Sequence, residues 1–503
     1  MSRSKIAAKA AISALQKKLC STANQSERTL LLATVLTVSM ISALVGYVLT
    51  QYYALDVTSS LVFAPEDCLI DSSSRIGRHC FSDYQLPVSF ASQPNPWAPY
   101  PLFLPPDYQP SRNNYSAASM LPQWTFGLLA SWLQVPRLGL LGYLLVLTLA
   151  VLSPAVWAAR GARGLERIVV FVACGAAAVP AWMAVDRGNS VGFVAPIGLA
   201  FLIGLYRQRY GLVTAMVVLA ALVKPQFAVL VMALFALRQW RFGAIAVVGV
   251  LTSNVAAYLL WPSDFPATII QSLQNALNYG SMPLDMGDRN VSFGKGLLLI
   301  PDMIKSFQTG GEIPVSYFAA VRLLSGYVIL AVIVLAVLLL GPRIPPVLTG
   351  VMLLAGASLF PALVFHYYLV FVLPIAALIV RHPDGPPGSG LFDYLAAQGT
   401  RRVVGLSISL AVALSIVQVA ASRCSMLAPV FGPIPGHPGM LRIVGSKELL
   451  MTSLWLVPVL WLVACAATIL SYARRPVARN CRPAGRTWGQ LQGDAARETE
   501  SSC

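Results

Sequence analysis

Long apolar runs recur along this chain, and they limit the folds that are open to it. The first run extends from Thr29 to Tyr52, and its length of about 24 residues is enough to cross a bilayer with some tilt. Only 11% of the 503 residues are charged and 56% are hydrophobic, whereas a soluble domain carries roughly 25% charged residues. The sequence therefore excludes a soluble enzyme, a disordered chain and a coiled coil, and it predicts an all-α polytopic membrane protein.

Apolar segments separated by polar turns predict about twelve transmembrane helices. The polar stretch after the first run is rich in Pro, Ser, Asn and Asp, and we expect it to form a large extracytoplasmic loop that carries an interfacial helix. Two runs near the middle are too short to cross upright, so we expect them to form a hairpin around Lys224-Pro225-Gln226 that dips into the bilayer. The predicted regions are a basic cytoplasmic leader, a first transmembrane helix, the extracytoplasmic loop, a multi-span domain and a disordered cytoplasmic tail, at 1–28, 29–52, 53–136, 137–471 and 472–503.

The net charge of +16, from 36 basic and 20 acidic residues, indicates an orientation. In a soluble protein such a charge would suggest a nucleic-acid partner. Here the basic residues concentrate in alternate polar segments, among them the leader, Arg160 to Arg167 and the tail. Because cytoplasmic loops carry an excess of Lys and Arg, we expect a multi-pass plasma-membrane protein with both termini in the cytoplasm and the long loops outside.

The eight cysteines are scattered and form no CxxC pair, and the four histidines are isolated. We therefore expect no metal site and no cofactor. Cys68 and Cys80 share the first outer loop, where a disulfide is permitted. Closing this ring would stabilise the fold by about 3 kcal/mol in the chain-entropy model. The alternative is two free thiols.

Charged side chains within or beside apolar segments are the candidates for chemistry, because such positions are costly. A carboxylate in the outer loop is a candidate general base, and Asp83 and Asp56 are the two that we single out. Basic and amide groups on the same side are candidates for holding a phosphate: Lys224, Arg187, Asn189, Arg289, Lys295, Arg322 and His366. Each also has a structural interpretation, as an interfacial cap, a lysine that extends to the interface, or a packed histidine.

Several short motifs on this predicted outer side occur in a suggestive order. They are Asp83-Tyr84, Asn95-Pro96-Trp97, Asn114-Tyr115-Ser116-Ala117, Arg187-Gly188-Asn189-Ser190, Lys224-Pro225 with Arg238-Gln239-Trp240-Arg241, Asn290-Val291-Ser292-Phe293-Gly294, and His366 to Pro374. Together they resemble the GT-C glycosyltransferases, most closely glycosyltransferase family 87, the polyprenyl-phosphate-sugar-dependent mannosyl- and arabinofuranosyltransferases of actinobacteria. The chain departs from that pattern in a missing Gln beside Asn189, a degenerate proline element after Tyr115 and extra residues before Asp83.

The resemblance implies a GT-C fold and transfer of a sugar, mannose or arabinofuranose, from a polyprenyl-phosphate donor to a cell-envelope glycan or glycolipid, with inversion and without a nucleotide donor. It implies Asp83 as the base, although GT-C enzymes often place this acid just after the first helix, which favours Asp56. It assigns the sugar and acceptor to Tyr84, Asn95, Trp97, Tyr115 and Asn290. The partners are then the lipid-linked sugar, the acceptor and the bilayer, with no nucleic acid.

Two other classes of membrane protein fit part of the pattern. About twelve spans with a broken central segment also suit a secondary transporter, and a further alternative is a lipid-linked-sugar flippase or a non-catalytic assembly partner. The long acidic first loop and the lack of an evident repeat between the halves favour the transferase. Consumption of a labelled polyprenyl-phosphate sugar by membranes that contain the protein would separate these classes.

Overall fold

The structure is a computed structural model of the whole chain, and it is mainly helical. The residues that it describes are 25–53, 57, 81–104, 109–279, 290–309, 316–397, 402–428, 433–434, 437–441 and 445–474. The candidate base Asp56, the candidate phosphate ligand Arg289 and the cysteine pair Cys68 and Cys80 lie outside the described residues. The same holds for most of the leader and of the tail.

The described helices form a bundle. From the first span to the middle of the chain they are α1 (Glu27–Tyr53), α2 (Ser82–Ala91), α3 (Ala117–Trp132), α4 (Pro136–Ala159), α5 (Leu165–Phe171), α6 (Val179–Arg187), α7 (Val194–Tyr206), α8 (Tyr210–Val223), α9 (Met232–Ala236) and α10 (Trp240–Tyr258). The later helices are α11 (Ala267–Tyr279), α12 (Phe293–Leu297), α13 (Leu299–Thr309), α14 (Ala319–Leu340), α15 (Pro346–Leu359), α16 (Val372–Val380), α17 (Leu391–Ala397), α18 (Arg402–Ile416) and α19 (Val457–Ala473).

Short antiparallel strand pairs occur in the loops, and the sequence did not predict them. They are β1 (Tyr100–Leu104) with β2 (Gln109–Ser111), β3 (Ala420–Ala428) with β6 (Gly445–Thr452), and β4 (Pro433–Ile434) with β5 (His437–Leu441). The expectation of a helical membrane protein is nevertheless confirmed, because the body of the described chain consists of helices.

Five described helices are long and apolar enough to cross a membrane: α1, α4, α10, α14 and the segment Ser453–Ala473 that contains α19. A sixth candidate is the bent pair of Leu165–Ala176 and Val179–Arg187, whose axes differ by 48°. Six further apolar segments have only 10–17 residues each. The twelve predicted spans therefore remain a prediction, with five or six candidates long enough to cross.

The centre of the bundle is formed by two helices that are apolar on all sides. Every residue of α16 is buried, and α15 is buried from Val347 onward. A helix that is hydrophobic all round has no face for water or for the membrane surface. The bundle thus surrounds α15 and α16, and the longer spans α1, α10 and α14 expose many apolar side chains at its periphery.

Three of the shorter segments begin with a tight 3₁₀ turn before the helix continues. The turns are Ser190–Phe193, Pro225–Val231 and His366–Phe371. They lead into α7, α9 and α16 respectively. The helix is interrupted at Lys224, which precedes the second turn. The predicted hairpin that dips into the bilayer stays a prediction.

The two ends of the bundle differ in their contacts. At one end, Arg28 forms an ion pair with Glu166 and donates from Nε to the carbonyl oxygen of Val380 (2.9 Å). Nearby, Arg207 pairs with Asp384 at 2.5 Å. We call this the arginine end. The other end, which we call the site end, carries α2, α3, the α6–α7 turn and Lys224.

Candidate functional site

The site end is organised around the carboxylate of Asp83, in the first turn of α2. Its Oδ1 accepts a hydrogen bond from the Tyr115 hydroxyl (2.8 Å), and its Oδ2 accepts one from Asn189 Nδ2 (2.9 Å). The Arg187 Nε lies 3.3 Å from the same Oδ2 as donor and ion-pair partner. Asp83 is only 7% exposed. The structure therefore brings together Asp83, Tyr115, Arg187 and Asn189, four of the residues predicted from the sequence.

The surroundings keep Asp83 ionised. Burial alone would raise the pKa of Asp83, because a charged group loses its hydration. The Arg187 guanidinium, the Asn189 hydrogen bond, the Lys224 ammonium and the Tyr115 hydrogen bond act in the opposite direction and hold the pKa below its ordinary value. An ionised carboxylate only accepts hydrogen bonds and has about four lone-pair positions. The three donors leave room for one more, such as a substrate hydroxyl.

The turn after α6 carries two of these donors, Arg187 and Asn189, and it packs closely against α2. Gly188 ends the helix in the left-handed conformation, with φ of +66°. A Cβ atom at this position would lie 2.8 Å from Cβ of Tyr84, so only glycine permits both the turn and the approach of α2. The Tyr143 hydroxyl donates to the Gly188 carbonyl oxygen (3.0 Å), which fixes the turn from the side of α4.

A cation lies on the other side of Tyr115. The Lys224 ammonium is 4.2 Å from the centre of the Tyr115 ring, a distance typical of a cation–π contact. α8 ends at Val223 and Pro225 starts the following turn, so Lys224 lies at a break between two apolar segments. Among the described residues, Lys224 has no ion pair within contact distance and no hydrogen bond from its side chain. It is a half-buried cation beside a buried carboxylate.

The segment that begins at His366 forms a further wall of the site. The Arg187 guanidinium lies over the Tyr367 ring at 5.9 Å, and His366 is buried beside it. Asn290 holds this segment: its Oδ1 accepts from the Val364 backbone N–H (3.1 Å), and its Nδ2 donates to the Ala362 carbonyl oxygen (2.7 Å). In the structure the amide of Asn290, predicted to contact the sugar, is therefore engaged with the backbone.

Trp97 and Asn95 also contact protein in this structure. Trp97 is fully buried, donates from Nε1 to the Tyr115 carbonyl oxygen (2.9 Å) and packs on the rings of Tyr258 and Trp261. Asn95 donates to Asp264 Oδ2 (2.9 Å). Trp97 thus positions the segment that carries Tyr115, and Asn95 joins its own loop to Asp264. Their contact with a sugar remains a prediction. Tyr84 is likewise buried, and its ring lies 5.0 Å from the Tyr143 ring at an angle of 37°.

Lys295 and Arg322, predicted to bind phosphate, form a separate cluster with Asp302. Arg322 is completely buried and donates to both carboxylate oxygens of Asp302, at 2.8 and 3.0 Å. The Lys295 ammonium is 3.7 Å from the same carboxylate. Asp302 thus pairs with the two cations, Lys295 and Arg322, that the sequence predicted to bind a phosphate. This cluster holds α12, α13 and α14 together. The phosphate role of these two cations stays a prediction.

Sequence reasoning missed three groups that shape the site. Tyr143 supports the Gly188 turn, Gln123 Nε2 donates to the Asp83 carbonyl oxygen (3.3 Å), and Asp302 neutralises Arg322. Tyr143 and Gln123 lie within apolar helices, where no local pattern distinguishes them from packing residues. The sequence did contain a signal for Asp302. It is an acidic residue in an amphipathic segment, and such a residue needs a cation as partner when it is buried.

Within the described part of the chain, no group of three His, Cys, Asp or Glu side chains is placed to hold a metal ion. The sequence matches no protein-family model and no curated protein. The site geometry is therefore the basis on which a function is inferred.

Proposed function

We propose that this protein is a membrane glycosyltransferase that moves a sugar from a polyprenyl-phosphate donor to a hydroxyl of a cell-envelope glycan or glycolipid. The observation that carries the proposal is the placement of Asp83 and Lys224 on either side of Tyr115: its hydroxyl bonds the carboxylate and its ring contacts the ammonium. A fixed base beside a cation suits a reaction in which one hydroxyl loses a proton while a phosphate leaves. The resemblance to glycosyltransferase family 87 supports the same reaction.

The chemical step is a single displacement at the anomeric carbon. The acceptor oxygen forms a bond to that carbon, the bond from the carbon to the phosphate oxygen breaks, and its electron pair stays on the phosphate. The acceptor proton moves to the open lone pair of Asp83 as the new bond forms, which lets a weak base act at neutral pH. Lys224 stabilises the added negative charge on the leaving phosphate. Displacement from one face inverts the sugar.

Arg187 and Asn189 have a different role in this scheme from the one that their sequence suggested. Both donate to Oδ2 of Asp83, so they orient the base and keep it charged. The guanidinium of Arg187 also lies near Tyr367 and contributes positive charge on the side where the phosphate leaves. The scheme needs neither Lys295 nor Arg322, because the carboxylate of Asp302 already pairs with them.

The proposal places the site end outside the cytoplasm. Exposed arginines gather in the turns of the arginine end, such as Arg163, Arg209 and Arg241, and basic turns mark the cytoplasmic side. We expect a cysteine introduced in place of Arg163 to react with an impermeant reagent only in inverted vesicles. A cysteine in place of the exposed Asp264 at the site end should react only in intact cells. The reversed pattern would contradict this orientation.

The function can be tested by reconstitution. Purified protein in liposomes is supplied with a labelled polyprenyl-phosphate sugar and an extract of cell-envelope acceptors. We expect the label to leave the lipid and to appear in a glycan, in a reaction that depends on the protein. Movement of the intact labelled lipid between leaflets without cleavage would favour a flippase, and uptake of a free solute would favour a transporter.

In the same assay, Lys224→Ala is expected to reduce the use of donor about 10- to 150-fold, since a charge-assisted hydrogen bond contributes roughly 1.5–3 kcal/mol. Lys224→Arg should keep part of the activity, because it keeps the charge but changes its shape. Lys305, a half-buried lysine on α13 whose ammonium lies 5.7 Å from the centre of the Tyr317 ring, serves as the control in Lys305→Ala. An alanine variant of Lys224 with full activity at normal expression would show that this lysine only extends toward the interface.

A further inference from the structure

Two helices at the site end are amphipathic in the reverse sense. On these helices, α11 and α13, one face carries buried polar side chains, namely Thr268, Ser272 and Asn275 on α11 and Asp302 on α13, whereas a stripe of large apolar side chains faces outward. The outward residues follow helical spacing and are Ile270, Leu273 and Leu277 on α11, and Ile300, Met303, Ile304 and Phe307 on α13. Phe307 is 92% exposed, whereas Asp302 on the opposite face of the same helix is 3% exposed.

The polar faces are held by specific bonds, so this orientation is fixed. On α11, Asn275 Nδ2 donates to the carbonyl oxygens of Trp97 and Asn113, each at 3.1 Å. On α13, Asp302 forms the buried ion pair with Arg322. Rotating either helix to hide its apolar stripe would leave these buried polar groups without partners, which costs more than the stripe would gain.

We propose that α11 and α13 lie in the plane of the membrane leaflet at the site end, with their apolar stripes in the acyl chains of the lipids. A helix that faces water turns its apolar side to the core, so the opposite pattern indicates an apolar medium outside. Both helices adjoin membrane spans: α11 follows α10, and α13 precedes α14. Each therefore starts or ends near the membrane boundary. An in-plane helix inserts its apolar face roughly 5–10 Å into this boundary.

The bonds of α11 lead directly to the candidate site. Asn275 holds the carbonyl oxygen of Asn113, whose Oδ1 accepts from the Tyr115 backbone N–H (2.9 Å). Tyr115 in turn donates to Asp83. In this arrangement α11, which lies at the membrane boundary, sets the depth of the Asp83 carboxylate relative to the lipid headgroups.

Photochemical crosslinking tests the proposal with the full-length protein. A photoreactive benzoylphenylalanine replaces Phe307, and the protein is placed in lipid nanodiscs that hold one copy each. Thr309 is the matched control position, because it is also exposed and lies about 200° further around the helix. We expect mass spectrometry to find lipid adducts from position 307 at a yield about ten-fold above that from position 309.

Other outcomes would overturn the proposal. A crosslink between two copies in native membranes, without lipid adducts, would show that α13 docks on a second copy. Equal lipid adducts from both positions, or none from position 307, would show that the stripe faces no leaflet. The side chain of Phe307 is exposed, so replacing it should leave the packing of the protein intact. Normal chromatography of the variant would verify this. The same pair of measurements at Leu277 and Ser263 examines the region of α11.

Discussion

The Asp83→Asn variant is expected to slow sugar transfer by about 10²- to 10⁴-fold, the contribution of a positioned general base. Asparagine keeps the shape of the side chain but removes the charge that accepts the proton. Its amide can still accept from Tyr115 or Asn189 through one oxygen, so the protein should fold and bind the donor lipid. The measurement is the single-turnover rate at saturating donor, together with donor binding by an equilibrium method.

The matched comparison is Asp56→Asn, because Asp56 is the other acid that the resemblance allows as base. We expect this variant to retain transfer. If Asp56→Asn is inactive while Asp83→Asn turns over normally, the base lies just after the first span and Asp83 is a structural acid. If both variants transfer normally, neither acid is the base, and the cluster around Asp83 serves another purpose.

Arg322→Met is expected to destabilise the protein by about 3–5 kcal/mol, the usual result of removing one partner of a buried ion pair. Arg322 is fully buried and makes both strong bonds to Asp302. Without it, Lys295 at 3.7 Å is the one remaining cation among the described residues that pairs with the Asp302 carboxylate. The measurement is unfolding by heat or denaturant in detergent, followed by the fluorescence of the ten tryptophans.

A triple variant separates the loss of the buried ion pairs from the loss of packing. Arg322→Met with Asp302→Leu and Lys295→Met removes all three charges of the cluster, and well-packed apolar side chains of similar volume often restore stability. We expect the triple variant to unfold later than Arg322→Met alone. If the single variant is as stable as the unaltered protein, the ion pair does not hold α13 against α14.

The bundle could be predicted from the sequence where apolar runs are long. α1, α4 and α14 lie within runs that composition alone identifies as spans. The short segments were harder, because their length depends on where the backbone changes from α-helix to a 3₁₀ turn. The turn at Pro225 was marked by a lysine and a proline. The turn at Ser190 follows a glycine whose close contact with Tyr84 exists only because α2 packs against it.

The site residues were predicted individually, but their pairing was not. A charge among apolar residues identifies Arg187 and Lys224 as unusual positions. That Arg187 faces Asp83 depends on a tertiary contact between residues 104 positions apart. The same limit applies to Trp97. A short aromatic motif has the same sequence whether its side chain binds a ligand or supports the site from behind. The contacts of Trp97 with the rings of Tyr258 and Trp261 show that it has the supporting role here.

The shortness of α8 has a consequence for the medium in which the proposed reaction takes place. Its 14 residues extend from the exposed Arg209 at the arginine end to Lys224, a length of about 21 Å. The hydrocarbon layer is about 30 Å thick. If Arg209 marks one surface of this layer, the ammonium of Lys224 lies roughly 9 Å short of the other. A phosphate that binds there leaves the headgroup region and lies deeper in the membrane, where a low dielectric constant strengthens its attraction to the lysine. The hydrocarbon chain of the lipid carrier can then remain among the other lipids of the leaflet. The acceptor must move from the water into the protein to reach the sugar.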